Sequence, residues 1–431
     1  MTQSCLGINN LGHLTIDGVD TVDIAKEYGT PAYVISEDAV RANCTVYRKA
    51  LNKYFGEGSM PLYAGKALCY RGIYKIIAEQ GLGADVVSPG ELYTVLKAGF
   101  PAEKIFFHGN NKTDEDINFA IDSEIGYFVV DNLEELNAID SIAASKEKKP
   151  SILLRITPGI DPHTHKAVRT GNVDSKFGSA IATGSAKAMV KAAIDCVHVN
   201  LVGLHCHIGS QIFDSKPFID AAGIMLRFLR ELKDDFAWEA KYLNLGGGFG
   251  VPYVDDDHKI DYEARIGEVA AEIDRLCCEL ELTRPNILLE PGRSIVANAG
   301  ITLYTVGSVK EIPGFRTYVS IDGGMPDNPR YALYQSQYEA VIANKVSEPK
   351  AITCTVAGRC CESGDLIGEN MPLQSAARGD IMAVLVTGAY NYSMASNYNR
   401  IPRPPIVAVS EGKPRLSVRR ESYDDLLKNE L

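Results

Sequence analysis

The chain has 431 residues, of which 45% are hydrophobic and 23% are charged. This composition is typical of a folded globular protein and excludes a disordered chain. The formal net charge is -11, and no segment is rich in lysine and arginine, so binding to nucleic acid or to an anionic membrane surface is not expected. The length exceeds that of one ordinary core and predicts two domains, or one barrel with an addition.

The N-terminal segment and the cysteines indicate a cytoplasmic protein. Residues 1–18 lack the basic start and apolar core of a signal peptide. No apolar run approaches the ~18 residues that a membrane span needs, so no membrane association is expected. The ten cysteines include no C-x-x-C pair, which favours reduced thiols over a disulfide framework.

The first fifty residues contain two short predicted elements. Residues 13–20 predict a pair of strands around a turn, and residues 36–51 predict a capped helix. From about residue 60, short apolar runs that end in polar or glycine residues alternate with amphipathic stretches of helical length. The apolar runs lie at residues 61–66, 83–88, 104–109, 126–132, 151–159, 201–209, 242–250 and 286–293.

Eight strand–helix units in succession predict an α/β fold, a parallel (β/α)8 TIM barrel. A doubly wound open sheet is the alternative, but the series has no break that would favour it. After Ser294 the pattern changes to period-two segments with turn residues between them, which predicts an all-β domain. We therefore predict a barrel domain at residues 31–293 and an all-β, sandwich-like or barrel-like domain formed by residues 1–30 and 294–431.

Polar residues are concentrated where the predicted barrel strands end. Barrels of this kind carry their active sites at the carboxyl ends of the strands, and a purely structural rim would not need so many polar groups. The residues are Lys66, Asp85, Ser88, His108, Asp131, Arg155, His205, His207, the glycines at 246–248, Glu290 and Arg293.

Lys66 ends the first barrel strand in the sequence YAGKAL. A lysine at an apolar strand end either pairs with an anion or has its pKa lowered by desolvation, and a lysine with a lowered pKa is the usual Schiff-base nucleophile. A side chain that extends to solvent is the simpler interpretation of Lys66 taken alone.

The segment NLGGGFG, residues 244–250, offers backbone N–H groups without intervening side chains. A loop of this kind before a helix suits a phosphate, although a tight barrel turn is an equally good interpretation of the loop alone. It lacks the spacing of a dinucleotide or Walker loop, so neither of those ligands is indicated.

His205 and His207 lie two residues apart on a predicted strand, so both side chains face the same way. No third ligand for this pair is evident in the sequence, and no metal is expected. A stacking role against a planar cofactor is the better interpretation of His207, and a hydrogen-bonded structural role that of His205. Glu290 needs a donor if it is buried, which a pyridinium N–H or an ion pair with Arg293 would supply.

A lysine, a phosphate-sized glycine loop, a stacking imidazole and a carboxylate on one rim together suit pyridoxal phosphate. The chain resembles the diaminopimelate decarboxylases, which belong to the alanine racemase-like pyridoxal-phosphate enzymes (group IV decarboxylases), over nearly its whole length. The motifs that carry the resemblance, in order through both predicted domains, are YAGKAL, SPGEL, HGNNK, GLHCHIGSQ, NLGGGFG, EPGRSIV, DGGMPDNPRYALY, CESGD, GAY, MASNYN and RRESYDDLL.

The resemblance implies pyridoxal 5'-phosphate as the cofactor. Lys66 would carry it as an internal aldimine, His207 would stack on its ring, and Glu290 would contact the pyridine nitrogen. The family's remaining cofactor contacts would fall on Ser210, Gly247, Gly248, Gly292, Arg293 and Tyr390.

The resemblance also implies a reaction, the decarboxylation of meso-2,6-diaminopimelate to L-lysine and CO2 at the end of lysine biosynthesis. Cys361 would be the proton donor, and it would come from the other chain of a homodimer with shared active sites. Cys360 has no implied role and is expected to pack, and Leu68 stands where many relatives have Asn. Substrate contacts would fall on Arg293, Arg330, Tyr334, Glu362 and Tyr390.

Three alternatives remain open from the sequence. A related decarboxylase of arginine, ornithine or carboxynorspermidine is the nearest, although these substrates lack the distal amino-carboxylate that a pair of arginines would bind. A non-catalytic homologue would be expected to have lost Lys66 or Cys361, and both are present. A (β/α)8 enzyme without pyridoxal phosphate would lack the cofactor's absorbance.

Overall fold

The computed structural model describes residues 3–160, 174–255 and 257–431. The strands of these residues, in chain order, are β1 (Leu6–Ile8), β2 (Leu14–Ile16), β3 (Val19–Asp20), β4 (Ala32–Ser36), β5 (Met60–Ala64), β6 (Gly83–Val86), β7 (Ile105–Phe107), β8 (Tyr127–Val130), β9 (Ser151–Thr157), β10 (Ser179–Ala180), β11 (Asn200–His205), β12 (Tyr242–Asn244), β13 (Asn286–Leu289), β14 (Gly300–Ile312), β15 (Arg316–Ile321), β16 (Ala340–Ile342), β17 (Ile352–Ala357), β18 (Leu366–Leu373), β19 (Ile381–Val384), β20 (Ile406–Ser410) and β21 (Lys413–Val418).

The helices of the same residues are α1 (Thr21–Tyr28), α2 (Glu37–Phe55), α3 (Arg71–Glu79), α4 (Pro89–Lys97), α5 (Asp114–Asp122), α6 (Leu133–Ser145), α7 (Ser185–Asp195), α8 (Lys216–Phe236), α9 (Tyr262–Glu279), α10 (Arg293–Val296), α11 (Arg330–Tyr334) and α12 (Tyr423–Leu427). The predicted N-terminal strand pair is β2 with β3, which pair antiparallel. None of these helices is both long enough and apolar enough to cross a bilayer.

The chain divides into two compact units, and the first comprises Cys44–Gly250 and Ile260–Gly292. In this unit β5 to β9 and β11 to β13 pair in parallel, and the pairing of β13 with β5 closes the sheet. Each of the eight apolar runs in the sequence overlaps one of these strands. The prediction of a closed (β/α)8 barrel is therefore confirmed, and the open sheet is excluded.

Apolar side chains from five of the barrel strands form a buried cluster. The cluster excludes water from these strands, so the polar groups that the strands carry fall at or beyond their ends. Its members are Leu62, Phe106, Val129, Leu153 and Leu288.

Side-chain caps begin several helices within a few residues of a strand end. Ser88 accepts a hydrogen bond from Glu91 N at the start of α4, and Asn132 accepts one from Glu135 N at the start of α6. Thr113 forms a capping box with Asp116 at the start of α5. Because these caps stop the strand and start the helix, the connecting loops are short and present their polar residues at the rim.

The second unit comprises Met1–Asn43, Val251–Lys259 and Arg293–Leu431. Its main sheet has the order β18-β17-β15-β14-β4-β20-β21, with β19 pairing with both β14 and β16. The sequence pattern places residues 31–293, and so β4, in the barrel domain. In the structure, β4 pairs instead with β14 and β20 of this sheet. The five residues of β4 are all buried, a pattern that fits either domain, and its partners lie more than 260 residues away in the chain.

Candidate active site

Lys66 lies in a 3-10 turn, Gly65–Ala67, directly after β5, and its side chain is exposed. A Cβ atom on Gly65 would lie 2.1 Å from the hydroxyl oxygen of Tyr74, so only glycine lets the turn pack so closely against α3. Leu68 is buried, and its N–H donates to the carbonyl of Gly65 at 3.1 Å. The turn therefore holds the lysine on a fixed backbone at the carboxyl end of the strand.

Glu290 follows β13 and is buried with three polar neighbours from other strands. Asn244 Nδ2 donates a hydrogen bond to Glu290 Oε1 at 2.7 Å. His108 Nε2 lies 2.9 Å from Oε1, and His205 Nε2 lies 3.3 Å from Oε2. Residues at the ends of β7, β11 and β12 thus surround both oxygens and fix the orientation of the carboxylate.

The ionisation of Glu290 follows from these contacts. Burial alone would raise the pKa of its carboxyl group, but His108 and His205 hold that pKa well below its usual range. Burial lowers the pKa of His205 to about 4, although Glu290 opposes the shift. His205 is therefore neutral near pH 7 and acts by donating its N–H rather than by its charge. Glu290 is a carboxylate in this site.

Asp85 extends the buried network at the end of β6. Its Oδ1 lies 3.8 Å from His108 Nε2. Burial raises the pKa of Asp85 to about 6, against the influence of His108 and with an added contribution from Glu290. The imidazole of His108 therefore lies between two buried carboxyl groups.

His108, His205 and Glu290 place their potential ligand atoms within 4.8 Å of one another, and all three residues are buried. This set could hold a divalent cation by the type of its ligands. The sequence showed no third metal ligand for the pair His205 and His207. The neighbours of His205 are instead His108, after β7, and Glu290, after β13. His207 is not a member of the set.

The glycine loop is shaped by close backbone approaches. Gly246 and Gly248 have φ angles of 71° and 124°, which other residues rarely adopt. A Cβ atom on Gly248 would lie 2.5 Å from the carbonyl oxygen of Gly209, and one on Gly247 would lie 2.1 Å from that of Glu290. The loops after β11, β12 and β13 can meet this closely only because side chains are absent.

Backbone hydrogen bonds join the loop that contains Ser210 to the glycine loop. Ile212 N donates to the carbonyl of Gly248 at 3.0 Å, and Gly250 N donates to that of Ile212 at 2.9 Å. Gly292 is buried, and a Cβ atom there would lie 2.9 Å from the Cβ of Ala64. Ser210, Gly247, Gly248 and Gly292 therefore lie on loops at one end of the barrel.

His207 follows β11 and is half-buried. Burial lowers the pKa of its imidazole well below the ordinary value, and the positive charge of Lys66 adds to the shift. A Cβ atom on Gly246 would lie 2.8 Å from His207 Nδ1. The imidazole is thus uncharged and lies against the glycine loop.

In the second unit, two buried arginines lie over the ring of Tyr390. The guanidinium carbons of Arg293 and Arg330 lie 4.7 Å and 5.5 Å from the centroid of that ring. Arg293 Nη1 donates to the hydroxyl oxygen of Tyr253 at 2.7 Å, and Arg330 lies 5.4 Å from the ring of Tyr334. Arg330 Nε has no hydrogen-bond partner among the described residues. The cluster is cationic and suited to an anionic group.

Cys361 and Glu362 are both exposed on a loop of the second unit. The N–H of Cys361 donates to Asn399 Oδ1 at 2.8 Å. Cys360 is half-buried, and burial raises the pKa of its thiol to about 12, with Asp365 adding to the shift. Cys360 therefore stays a thiol, whereas Cys361 is open to solvent in the single chain.

Sequence reasoning gave no role to His108, Asn244 or Tyr253. A strand-end position marks the first two: His108 follows β7 directly and Asn244 is the last residue of β12. No comparable local signal marks Tyr253, because its partner Arg293 lies 40 residues later in the chain.

Comparisons with known proteins agree with this geometry. Residues 37–297 match the family described as "Pyridoxal-dependent decarboxylase, pyridoxal binding domain". The diaminopimelate decarboxylase of Bacillus methanolicus is 46% identical over 414 residues, covering 96% of both chains. That of Staphylococcus aureus (strain COL) is 44% identical over 423 residues, covering 98% of both chains.

Solved structures show the same likeness. The diaminopimelate decarboxylase of M. jannaschii, crystallised in complex with L-lysine, superposes with a TM-score of 0.92 at 36% identity, covering 100% of this chain and 98% of that one. A lysine/ornithine decarboxylase of Vibrio vulnificus, at 23% identity and a TM-score of 0.75, shares the fold. Since similarity at 44% and above extends over nearly the full length, the chain belongs to the diaminopimelate decarboxylase family of pyridoxal-dependent decarboxylases.

Proposed function

We propose that this protein decarboxylates meso-2,6-diaminopimelate to L-lysine and CO2, the last step of lysine biosynthesis. The observation that carries the choice of substrate is the pair of buried arginines over Tyr390, of which Arg330 has an unpartnered Nε among the described residues. Diaminopimelate has a second carboxylate that such a cluster can bind, and ornithine and arginine have none. The family membership supports the same carboxy-lyase activity.

Pyridoxal 5'-phosphate is the cofactor of the family, and the barrel residues fit it. A phosphate needs backbone N–H groups that no side chain covers. The glycine loop meets this need, because side chains at Gly247 and Gly248 would collide with neighbouring backbone and are absent. A pyridine N–H needs an ionised acceptor, and the pKa of Glu290 is held well below its usual range. We infer that Ser210, Gly247, Gly248 and the backbone of Gly292 and Arg293 hold the phosphate, and that His207 lies on the ring.

The chemistry divides between the cofactor and the chain. When bound, the protonated ring supplies a sink for the electron pair that remains on the α-carbon as CO2 leaves. Glu290 keeps the proton on the ring nitrogen, while Asn244 and His108 hold its carboxylate in one orientation. Lys66, exposed at the strand end, is the amine that would anchor the cofactor.

Substrate recognition requires groups for both ends of the molecule. We assign the distal carboxylate to Arg330 and Arg293, and the distal ammonium to Glu362. Tyr334 and Tyr390 border the substrate site, since both rings contact the Arg330 guanidinium. An arginine pair of this kind would have no partner in a decarboxylase of ornithine or arginine.

Proton return to the α-carbon is assigned to the Sγ of Cys361 of the partner subunit. Carbanion chemistry must be shielded from water, yet Cys361 and Glu362 are exposed in the single chain. A twofold homodimer would bury both residues and create two equivalent sites. We propose this homodimer, and the cytoplasm as its location.

A substrate panel tests the proposal. The purified protein, loaded with pyridoxal 5'-phosphate, is incubated with meso-diaminopimelate, ornithine or arginine, and CO2 and the amine product are quantified. We expect equal amounts of CO2 and lysine from diaminopimelate and a far lower kcat/KM for the other two. A higher kcat/KM for ornithine or arginine, or no CO2 from diaminopimelate, would overturn the assignment.

A further inference from the structure

Asp365 is a buried carboxylate that joins two loops of the second unit, and it is 2% exposed. Its Oδ1 accepts a hydrogen bond from Met325 N at 2.6 Å, and its Oδ2 accepts one from Cys360 N at 2.7 Å. One loop, residues 322–329, leads into α11 with Arg330, and the other carries Cys361. The carboxylate is therefore shared between the backbones of both loops.

Two glycines make this arrangement sterically feasible. A Cβ atom on Gly324 would lie 2.3 Å from Asp365 Oδ1, and one on Gly358 would lie 2.2 Å from Oδ2. Gly324 also has a φ angle of 151°, which L side chains rarely adopt. The chain thus has side-chain-free backbone on both sides of this carboxylate.

Further backbone hydrogen bonds complete the junction. Arg359 N donates to the carbonyl of Gly323 at 3.0 Å, and Gly358 N donates to that of Asp365 at 2.8 Å. On the solvent side, Cys361 N donates to Asn399 Oδ1 at 2.8 Å. The peptide units on either side of the Cys360 α-carbon are therefore restrained, one through Cys360 N–H and one through Cys361 N–H. The second of these units leads directly to the Cys361 α-carbon, although the Cys361 side chain is exposed.

We infer that Asp365 and Asn399 are positioning residues that fix the Sγ of Cys361 for proton transfer by orienting the backbone before and at that residue. Asp365 is the main one, because a carboxylate offers two acceptors and no donor, whereas an asparagine would turn N–H donors toward one of the two backbone N–H groups. The inference rests on the proposed role of Cys361 as proton donor.

The test compares Asp365→Asn with Asp380→Asn in the full-length, cofactor-loaded protein. Asp380 is a matched control, since it is a buried carboxylate of the same unit that accepts a backbone hydrogen bond, from Ala377 N at 2.7 Å, away from the Cys361 loop. We measure kcat, the thermal unfolding midpoint and the alkylation rate of Cys361 by iodoacetamide, followed by peptide mass spectrometry. Cys278, an exposed thiol of the barrel unit, is the internal reference.

We expect Asp365→Asn to lower kcat at least about tenfold and to change the Cys361 alkylation rate severalfold relative to Cys278, while Asp380→Asn alters neither. If Asp365→Asn fails to fold, variants of the exposed residue Asn399 test the inference instead. Asn399 has a φ angle of 51°, so Asn399→Gly removes the acceptor without strain and Asn399→Asp retains it. We expect the glycine variant to lose kcat and the aspartate variant to keep it.

The outcomes separate this inference from the proposed function. The positioning role would be overturned if Asp365→Asn kept the wild-type kcat and Cys361 alkylation rate while Cys361→Ala was inactive. If Asp365→Asn does not fold, the same result in Asn399→Gly would overturn it. An active Cys361→Ala variant would instead overturn the role of Cys361 itself. Both are read in one assay with meso-diaminopimelate.

Discussion

Asn244 and Glu290 come from neighbouring strands of the barrel, and Asn244 Nδ2 donates to Glu290 Oε1 at 2.7 Å. Asn244 is fully buried, so this hydrogen bond forms away from water. A hydrogen bond to a charged acceptor contributes about 1.5–3 kcal/mol. Together with His108 and His205, it keeps Glu290 ionised and oriented.

The first prediction follows from this contact. Asn244→Ala should weaken the binding of pyridoxal 5'-phosphate to the cofactor-free protein by about ten- to a hundredfold, since about 1.4 kcal/mol corresponds to one factor of ten. An absorbance titration measures the dissociation constant. Asn118→Ala is the control, because the Asn118 side chain donates to the carbonyl of Asp114 on the barrel helix α5. Equal dissociation constants for the two variants would contradict the role of Asn244.

Lys66→Ala gives the second prediction. The variant should lose turnover and the absorbance of the covalently attached cofactor, while its circular dichroism spectrum stays that of the wild type, because the side chain is exposed and leaves no cavity. Lys97→Ala, at an exposed lysine in the last turn of α4, should change none of these. A borohydride-reducible cofactor adduct that persists on Lys66→Ala would assign the anchor to another residue.

The third prediction concerns the cationic cluster. Arg330→Ala should raise the KM for diaminopimelate by about a hundredfold or more, because breaking a buried charge pair on one side costs about 3–5 kcal/mol. Arg316→Ala removes an exposed ion pair with Glu369 in the same unit and should leave KM unchanged. Steady-state kinetics decide, and an unchanged KM for Arg330→Ala would place this arginine outside the substrate site.

The fourth prediction concerns pH and stability. Burial raises the pKa of Asp327 to about 7, although hydrogen bonds from Tyr304 and Gly324 oppose the shift. An unfolded aspartate titrates near pH 3.9, so the folded protein binds the extra proton between about pH 4 and pH 7. The stabilisation by the protonated group is complete below about pH 4 and is lost as the pH rises through about 7. At about 1.4 kcal/mol per unit of pKa, the loss is on the order of 4 kcal/mol.

Asp327→Asn should remove this slope, which is the fall in the free energy of unfolding between about pH 4 and pH 7, because the amide does not titrate. Urea unfolding at pH values below and above this range measures the free energy of unfolding. In Asp380→Asn the slope should persist, since hydrogen bonds from Lys345 and Asn344 outweigh burial and lower the pKa of Asp380, which is then ionised throughout. The same slope in Asp327→Asn and in the wild type would contradict the assignment.

The barrel was predictable because its strands are buried on both faces and appear as short apolar runs, each followed by an amphipathic helix. Lys66, His207 and Glu290 follow from that prediction, since a strand end is a local feature. The place of β4 was not predictable, because its partners β14 and β20 lie far away in the chain.

The partners of Glu290 were beyond local reasoning for the same cause. His108 and Asn244 come from β7 and β12, and only barrel closure brings them to one carboxylate. Asp365 stands four residues after Cys361 in the sequence, but its role depends on the loop at residues 322–329, which no periodicity connects to it.

The central claim is that one active site takes Lys66 from one chain and Cys361 from another. It is tested by mixing Lys66→Ala with Cys361→Ala, each nearly inactive alone, under conditions of subunit exchange. Random pairing gives about half heterodimers with one intact site each, so about a quarter of the wild-type activity should return. If no activity returns although exchange is confirmed independently by mass spectrometry of labelled chains, Cys361 serves the barrel of its own chain and the shared-site account is wrong.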